Sequence, residues 1–400
     1  MLVANRKNGE KFSLADYRDR DELEEYRRRE EFLCPVCGEL VILKLGYQRI
    51  WHFSHRKEAN CPESYERESS YHMMGKLQLY QWLKLQGIKA ELESYLNSCK
   101  QRADIAFEWK HKRYALEFQC SSISTEIFNK RTQGYLANGM TPIWIMGGKQ
   151  LKRMGTNLFS FNHFQYLFLR KEQGGWNMPV YCPDLRSFIF LQHTMPVSSK
   201  KVVASISTFQ RNETSLSVLL TPSPVTAIPL FGMLHELKKT KTSFFIQPTL
   251  TQKRFLNELY LKRMNLQLLP PELGLPVPSA PFLETPPLIW QTYLYLDLLR
   301  FMKVGDIISK QNVSNAFLIR KQRQQITLRT MPLCKSSDIS EAINEYITLL
   351  ESIGTLEKIA DYHYKMVRPF YLPSSVEQQV SSEKQFYEKF DKIIMNQFLS

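Results

Sequence analysis

Cys34-Pro35-Val36-Cys37 is followed after 14 residues by His52-Phe53-Ser54-His55, and Cys61 lies six positions beyond. A C-x-x-C turn lets two thiolates reach one ion, and a closed tetrahedral zinc site takes four N or S ligands. Four of Cys34, Cys37, His52, His55 and Cys61 are therefore expected to hold Zn²⁺. On an extended strand His52 and His55 point to opposite faces, which leaves one of them as a ligand. His55 with Cys61 is the expected pair, and His52 is the alternative. The role is structural, because so short a segment buries too little apolar area to fold without metal.

A second group is acidic. Asp104 opens one strand-like run, and Glu117 and Gln119 share a face of the next. A turn at residues 110–112 can bring Asp104 and Glu117 together, and such a carboxylate pair can chelate Mg²⁺, which prefers oxygen ligands and keeps several waters. Glu68, His72 and Lys76 recur at i, i+4 and i+8, so a helix there supplies a third acid. Asp104 and Glu117 are the expected Mg²⁺ ligands.

The elements that must position these groups follow from patterning. Residues 16–31 mix charges at helical spacing and read as an exposed helix or turn. Residues 39–55 hold two short strands. A helix is predicted over about 63–87, ended by Gly87, then three alternating runs, 88–96, 102–109 and 113–120, as a meander. Ser124 opens another helix, Gly139 closes it, and residues 142–147 form a buried fourth strand. The fold class is thus α/β and multidomain. Its expected parts are a lead-in and zinc module (1–62), a core of helix, three strands, helix and strand (63–150), an intermediate region of mixed structure (151–269), and a mostly helical basic domain (270–400). The proline-rich stretch 269–287 is expected as a linker. Residues 337–370 read as a helix and strand pair like the end of a winged-helix module.

The 400 residues carry 53 Lys+Arg against 39 Asp+Glu, a net charge of +14, with 43% hydrophobic residues, which excludes a disordered or collagen-like chain. The first residues lack the apolar run of a signal peptide, and no stretch is apolar enough to span a bilayer, so a cytoplasmic protein without membrane insertion is expected. Seven cysteines, three clustered early, suit metal chemistry in a reducing compartment better than disulfides. The excess charge lies behind the core, with 24 basic against 20 acidic residues in 1–150 and 29 against 19 in 151–400. Between Arg300 and Lys335, Arg300, Lys303, Lys310, Arg320, Lys321, Arg323, Arg329 and Lys335 face Asp306 alone. Arg320, Lys321, Arg323 and Arg329, with Lys76, are the expected DNA-binding residues.

The acidic group, in the order helix, D, E-x-Q, helix, resembles the PD-(D/E)XK nuclease core, with Ala103 before Asp104 in place of Pro and Gln119 in place of Lys. CPVCG, GYQRIWHFSH, ESSYH-x₃-K, RADIAF, YALEFQCSSIS and GMTPIWIMGG together resemble the competence protein CoiA family over roughly residues 25–150. The resemblance implies a zinc-ribbon-like module, a nuclease-like core with Glu68, Asp104, Glu117 and Gln119 as its catalytic set, in which the neutral Gln119 can orient a water but cannot lower its pKa as an ammonium would, and a cytosolic role on transforming single-stranded or branched DNA. It further implies RecA recombinase and other competence proteins as partners in homologous recombination. A DNA-binding accessory, an Mg²⁺-dependent endo- or exonuclease, and a protein-only scaffold of the uptake machinery are the alternatives.

Overall fold

The computed structural model describes residues 1–400 except 57–60, 62–67, 173–174, 224, 226, 335–338 and 399–400. The chain forms two compact units, one of Met1–Leu151, Met178–Phe190 and Thr208–Pro222, the other of Lys152–Asn177, Leu191–Ser207 and Ser223–Ser400.

The first unit begins with strands β1 (Val3–Arg6), β2 (Lys11–Ser13), β3 (Phe32–Leu33), β4 (Leu40–Lys44) and β5 (His52–His55), paired in the order β2-β1-β3-β4-β5. Helix α1 (Arg20–Arg29) fills the predicted 16–31 segment; the Asp19 side chain caps its N-terminus, and Arg27, Arg28 and Arg29 complement the dipole at its C-terminus. Along β4, Val41 and Leu43 are buried while Leu40, Ile42 and Lys44 are exposed, the period-two pattern of a half-buried strand. Phe12, Phe32 and Phe53 fill the space under this sheet.

The nuclease-like order follows: α2 (Ser70–Leu85), β6 (Ala90–Leu96), β7 (Gln101–Trp109), β8 (Lys112–Gln119), α3 (Thr125–Ala137) and β9 (Met140–Gly147). Strands β6, β7 and β8 form the antiparallel meander, and β9 runs parallel to β8. Helix α2 starts later than predicted, because Ser69 takes an extended conformation and its hydroxyl caps the His72 N–H. Glu68 therefore precedes the helix instead of sharing its face, and the predicted start at Glu63 lies outside the described residues. Gly75, a weak helix former, is required: a Cβ there would meet the Phe118 ring at 1.9 Å. This close approach of α2 to β8 lays His72 and Lys76 over the sheet. Ser124 caps α3 and Gly139, at φ +67°, ends it, as the sequence predicts.

The second unit is mostly helical, with Leu230–Ile246, Leu250–Leu261, Pro287–Asp297, Lys310–Gln322, Ile339–Ser352 and Val376–Asn396 around one apolar core. The proline-rich stretch is no linker. Leu269, Leu275 and Val277 are completely buried, and the Gln291 side chain accepts from the N–H groups of Gly274 and Leu275 and donates to the Leu275 carbonyl. Prolines bring no N–H to satisfy, so such a run packs into a core with few polar partners. Strand Ile307–Ser309 pairs with His363–Met366, which pairs with Leu356–Ala360, and helices Lys310–Gln322 and Ile339–Ser352 lie between them in the chain. The helix Ile339–Ser352 carries Glu341 and Glu345. Glu341 lies 2.5 Å from the Lys171 ammonium, and Glu345 accepts from Ser279 Oγ at 2.6 Å.

Candidate functional site

The C-x-x-C turn connects β3 to β4. The Cys34 N–H donates to the Glu39 carbonyl at 2.8 Å, the Gly38 N–H closes the turn on the Cys34 carbonyl at 3.0 Å, and Gly38 takes φ +74°. The Val36 N–H points at Cys34 Sγ from 3.4 Å, as a thiolate would require. The ligand atoms of Cys34, Cys37, His55 and Cys61 all lie within 4.8 Å of one another, with Cys37 Sγ 3.3 Å from His55 Nε2. Zinc bonds of roughly 2.0–2.3 Å set tetrahedral ligand atoms about 3.4–3.8 Å apart, so this donor set could hold zinc. Burial first, then Cys34 and Cys61, pushes the Cys37 thiol up to about 12, so a cation is needed to make it a thiolate ligand. His52 is outside the group, with Nδ1 2.8 Å from the Ile50 carbonyl. The other four cysteines, Cys99, Cys120, Cys182 and Cys334, are free thiols.

The acidic group is built differently. Lys76 is completely buried, and its ammonium lies 2.6 Å from Glu68, 2.5 Å from Glu93 and 3.6 Å from Asp104. Arg102 adds a second cation, 3.4 Å from Glu68 and 3.8 Å from Glu93. Asp104 Oδ2 accepts the Phe118 N–H at 2.9 Å and faces His72 Nε2 at 3.3 Å. Burial would raise the Asp104 carboxyl, but His72 and Lys76 outweigh it and hold it far below the usual range. Glu117 lies on the adjoining strand. Its Oε1 accepts from Arg131 at 2.6 Å and from the Tyr135 hydroxyl. Burial costs this carboxylate more than Arg131 returns, and with Asp104 nearby its pKa is raised to about 7. Gln119 Nε2 donates to the Ser121 carbonyl at 2.9 Å and to its hydroxyl at 3.2 Å, so its amide is engaged in its own turn.

Glu68 and Asp104 thus meet at Lys76, with Glu117 near Asp104, around fixed cations, while Gln119 turns to Ser121. Sequence reasoning missed Glu93, Arg102, Arg131 and Tyr135. The signal for Glu93 was an acid inside an apolar strand; alternation placed it opposite Leu92, and its φ of +50° turns it inward instead.

Three of the expected phosphate contacts are internal. Lys76 is enclosed by carboxylates. Arg320 is 4% exposed and forks Asp297 and Glu258, and Arg329 is 6% exposed and donates to the Pro281 and Leu283 carbonyls. A guanidinium buried against carboxylates or carbonyls is fixed there by its desolvation cost and has no free face for a phosphate. Lys321 and Arg323 are exposed, and Lys335 lies outside the described residues. Helix Leu250–Leu261 and its end supply cations that reading missed: Lys253, Arg254, Lys262 and Arg263 are exposed, as is Tyr260 of the same helix, at 79%. Arg320 ties the end of helix Lys310–Gln322 to this helix through Glu258.

A small module with a Cys₃His cluster, a nuclease-like sheet and a helical second unit define a class of nuclease-like, multidomain protein. Family models match all three parts: the competence protein CoiA N-terminal domain over residues 15–64, its nuclease-like domain over 68–224, and its C-terminal domain over 231–380. Competence protein CoiA of Bacillus subtilis (strain 168) is 31% identical over 346 residues, covering 86% of this chain and 91% of that protein. The chain belongs to the competence protein CoiA family. No solved structure matches it. Among the described residues no helix is long and apolar enough to cross a membrane.

Proposed function

We propose that the protein is a cytoplasmic competence factor that grips incoming single-stranded DNA and promotes its RecA-mediated recombination, with a structural zinc and a nuclease-like core used as scaffold. RecA recombinase and other competence proteins are its partners in this reading. The observation that carries it is the exposed set Lys253, Arg254, Lys262 and Arg263, on and just after the helix that also exposes Tyr260, with Lys321 and Arg323 exposed at the end of helix Lys310–Gln322, which Arg320 bonds to the first through Glu258. The acids of helix Leu250–Leu261 do not cancel this charge, since its Glu258 is taken by Arg320. Cations along a backbone track with an exposed ring for stacking are what sequence-tolerant single-strand binding needs.

The test is affinity for a labelled single-stranded oligonucleotide against salt. Replacing Lys253, Arg254, Lys262 and Arg263 by Gln is expected to weaken binding and flatten the log–log salt slope by about 0.7 per lost phosphate contact. An unchanged slope sinks the assignment of this surface.

The family's nuclease-like domain keeps a second reading open, an Mg²⁺-dependent nuclease using Asp104 and Glu117. Incubation of single-stranded, duplex and branched DNA with Mg²⁺, wild type against Glu117→Ala, separates the two. Cleavage that depends on Glu117 establishes the enzyme, and intact substrates throughout remove it.

A further inference from the structure

We propose that Lys76 and Arg131 take the place of a divalent metal in the nuclease-like core, so that Glu68, Glu93, Asp104 and Glu117 form a metal-independent charge cluster. The inference deepens the reading of the nuclease-like core as a scaffold.

The residues do not fit Mg²⁺ as they stand. A magnesium site needs carboxylate oxygens free to meet the ion and its waters in an octahedron. Here the Lys76 ammonium already sits among three carboxylates, within 2.5–3.6 Å of each. On the other side, the Arg131 guanidinium holds Glu117 at 2.6 Å while also donating to the Arg102 carbonyl at 3.2 Å. Neither cation can step aside by losing its proton. Arginine does not deprotonate in proteins, and the three acids around Lys76 overcome its burial and raise its pKa. Nor can Lys76 easily swing away, because α2 is pressed onto β8 at Gly75 and the side chain has no exposed surface.

The backbone has been shaped to this arrangement. Glu93 occupies the left-handed region at φ +50° within a strand, a conformation that disfavours side-chain-bearing residues. The turn aims one Glu93 oxygen at Lys76 and leaves the other to accept the N–H groups of Leu2 at 2.9 Å and Val3 at 3.2 Å. The zinc module's first strand is thereby bonded to the same cluster. Gln119, where the nuclease pattern has its lysine, is turned to Ser121, while an ammonium reaches Asp104 from α2 instead. A cation is still supplied to the acids, from a different element, and as a fixture.

The experiment titrates the zinc-loaded chain with Mg²⁺ and Mn²⁺ to about 10 mM while following its melting temperature, alongside Lys76→Met, Arg131→Gln and Asp104→Asn, since an ion that binds only the folded state raises the melting point. Wild type is expected to show no saturable rise. Lys76→Met is expected to melt lower and to regain at least about 3 °C with Mn²⁺, the ion now filling the vacated cation position. A saturable rise in wild type that Asp104→Asn abolishes overturns the proposal. So does a folded Lys76→Met chain that gains nothing from either ion. Should Lys76→Met fail to fold, the wild-type titration and Arg131→Gln, expected to gain from Mn²⁺ at Glu117, decide it. DNA affinity in magnesium-free buffer is measured separately, and its loss would fail the DNA-binding reading while leaving this inference intact.

Discussion

Two clusters of metal-ligating side chains lie in the same unit, and they differ in where their positive charge comes from. Cys34, Cys37, His55 and Cys61 bring their ligand atoms within 4.8 Å of one another, and burial raises the pKa of the Cys37 thiol. Glu68, Glu93, Asp104 and Glu117 are met by Lys76, Arg102 and Arg131 from the chain itself. The first arrangement offers its donors to an ion, whereas the second meets its acids with cations of the chain itself. Residue types that could ligate a cation do not by themselves make a metal site; what decides is whether the fold has already paired their charge.

The largest expected effect separates the two directly. Cys61→Ser, or a strong chelator, should release zinc and unfold the N-terminal sheet, because structural zinc supplies about 10–16 kcal/mol to small zinc-folded modules. Zinc content by mass spectrometry and hydrogen exchange in residues 1–55 read this out. His55→Ala should behave like Cys61→Ser, and His52→Ala should keep its zinc; zinc lost with His52 alone would reverse the ligand assignment.

Next in size is Glu93→Gln, which leaves Lys76 one carboxylate short in a site without solvent. Breaking a buried pair on one side costs about 3–5 kcal/mol, so urea unfolding should shift strongly while zinc content stays the same. A shift within error would mean that the cluster relaxes and that its charges are not locked together.

The acidic cluster should also show itself in pH dependence, where the zinc module supplies a control. The Glu117 pKa is raised from 4.5 to about 7, chiefly by burial. Below 4.5 its contribution to stability is fully present in both protonated states, and it is lost as pH rises through 7, because the folded state holds the proton that the unfolded chain gives up. Between about pH 5 and 8 stability should therefore decline by up to roughly 1.4 kcal/mol per pH unit, and Glu117→Gln should flatten that decline. Asp104, held low by His72 and Lys76, acts in the opposite direction and only in stronger acid.

How far the sequence disclosed this contrast depends on the kind of residue. The grouping of Cys34, Cys37, His55 and Cys61, with His52 outside it, was legible because two of the four lie in one turn and the strand parity of His52 and His55 follows from local geometry. The meander and the capped helix α3 were legible for the same reason, since alternation, Ser124 and Gly139 act within a few residues. The cations of the acidic cluster were not, because Lys76 meets Glu93 and Arg131 meets Glu117 across elements, and the inward turn of Glu93 depends on a single φ angle. The buried proline-rich stretch escaped because its polar partner, Gln291, lies on another element. Charge runs were read as surface, yet burial divides them into internal and external members that composition cannot distinguish.

That division extends the comparison to the basic side chains of the second unit and gives the smallest effect. Arg320 and Arg323 are three residues apart, but Arg320 forks Glu258 and Asp297 while Arg323 faces solvent. If paired cations are structural and unpaired ones bind DNA, Arg320→Ala should destabilise the fold and leave the salt slope of single-strand binding unchanged at temperatures where the variant remains folded. Lys321→Ala with Arg323→Ala should leave the melting temperature alone and flatten that slope by up to about 1.4, the value for two phosphate contacts on a single strand. Urea melts and anisotropy titrations on the same preparations provide both readouts. An exchange of the two phenotypes would show that burial in this helix does not mark which cations are free to act on a phosphate.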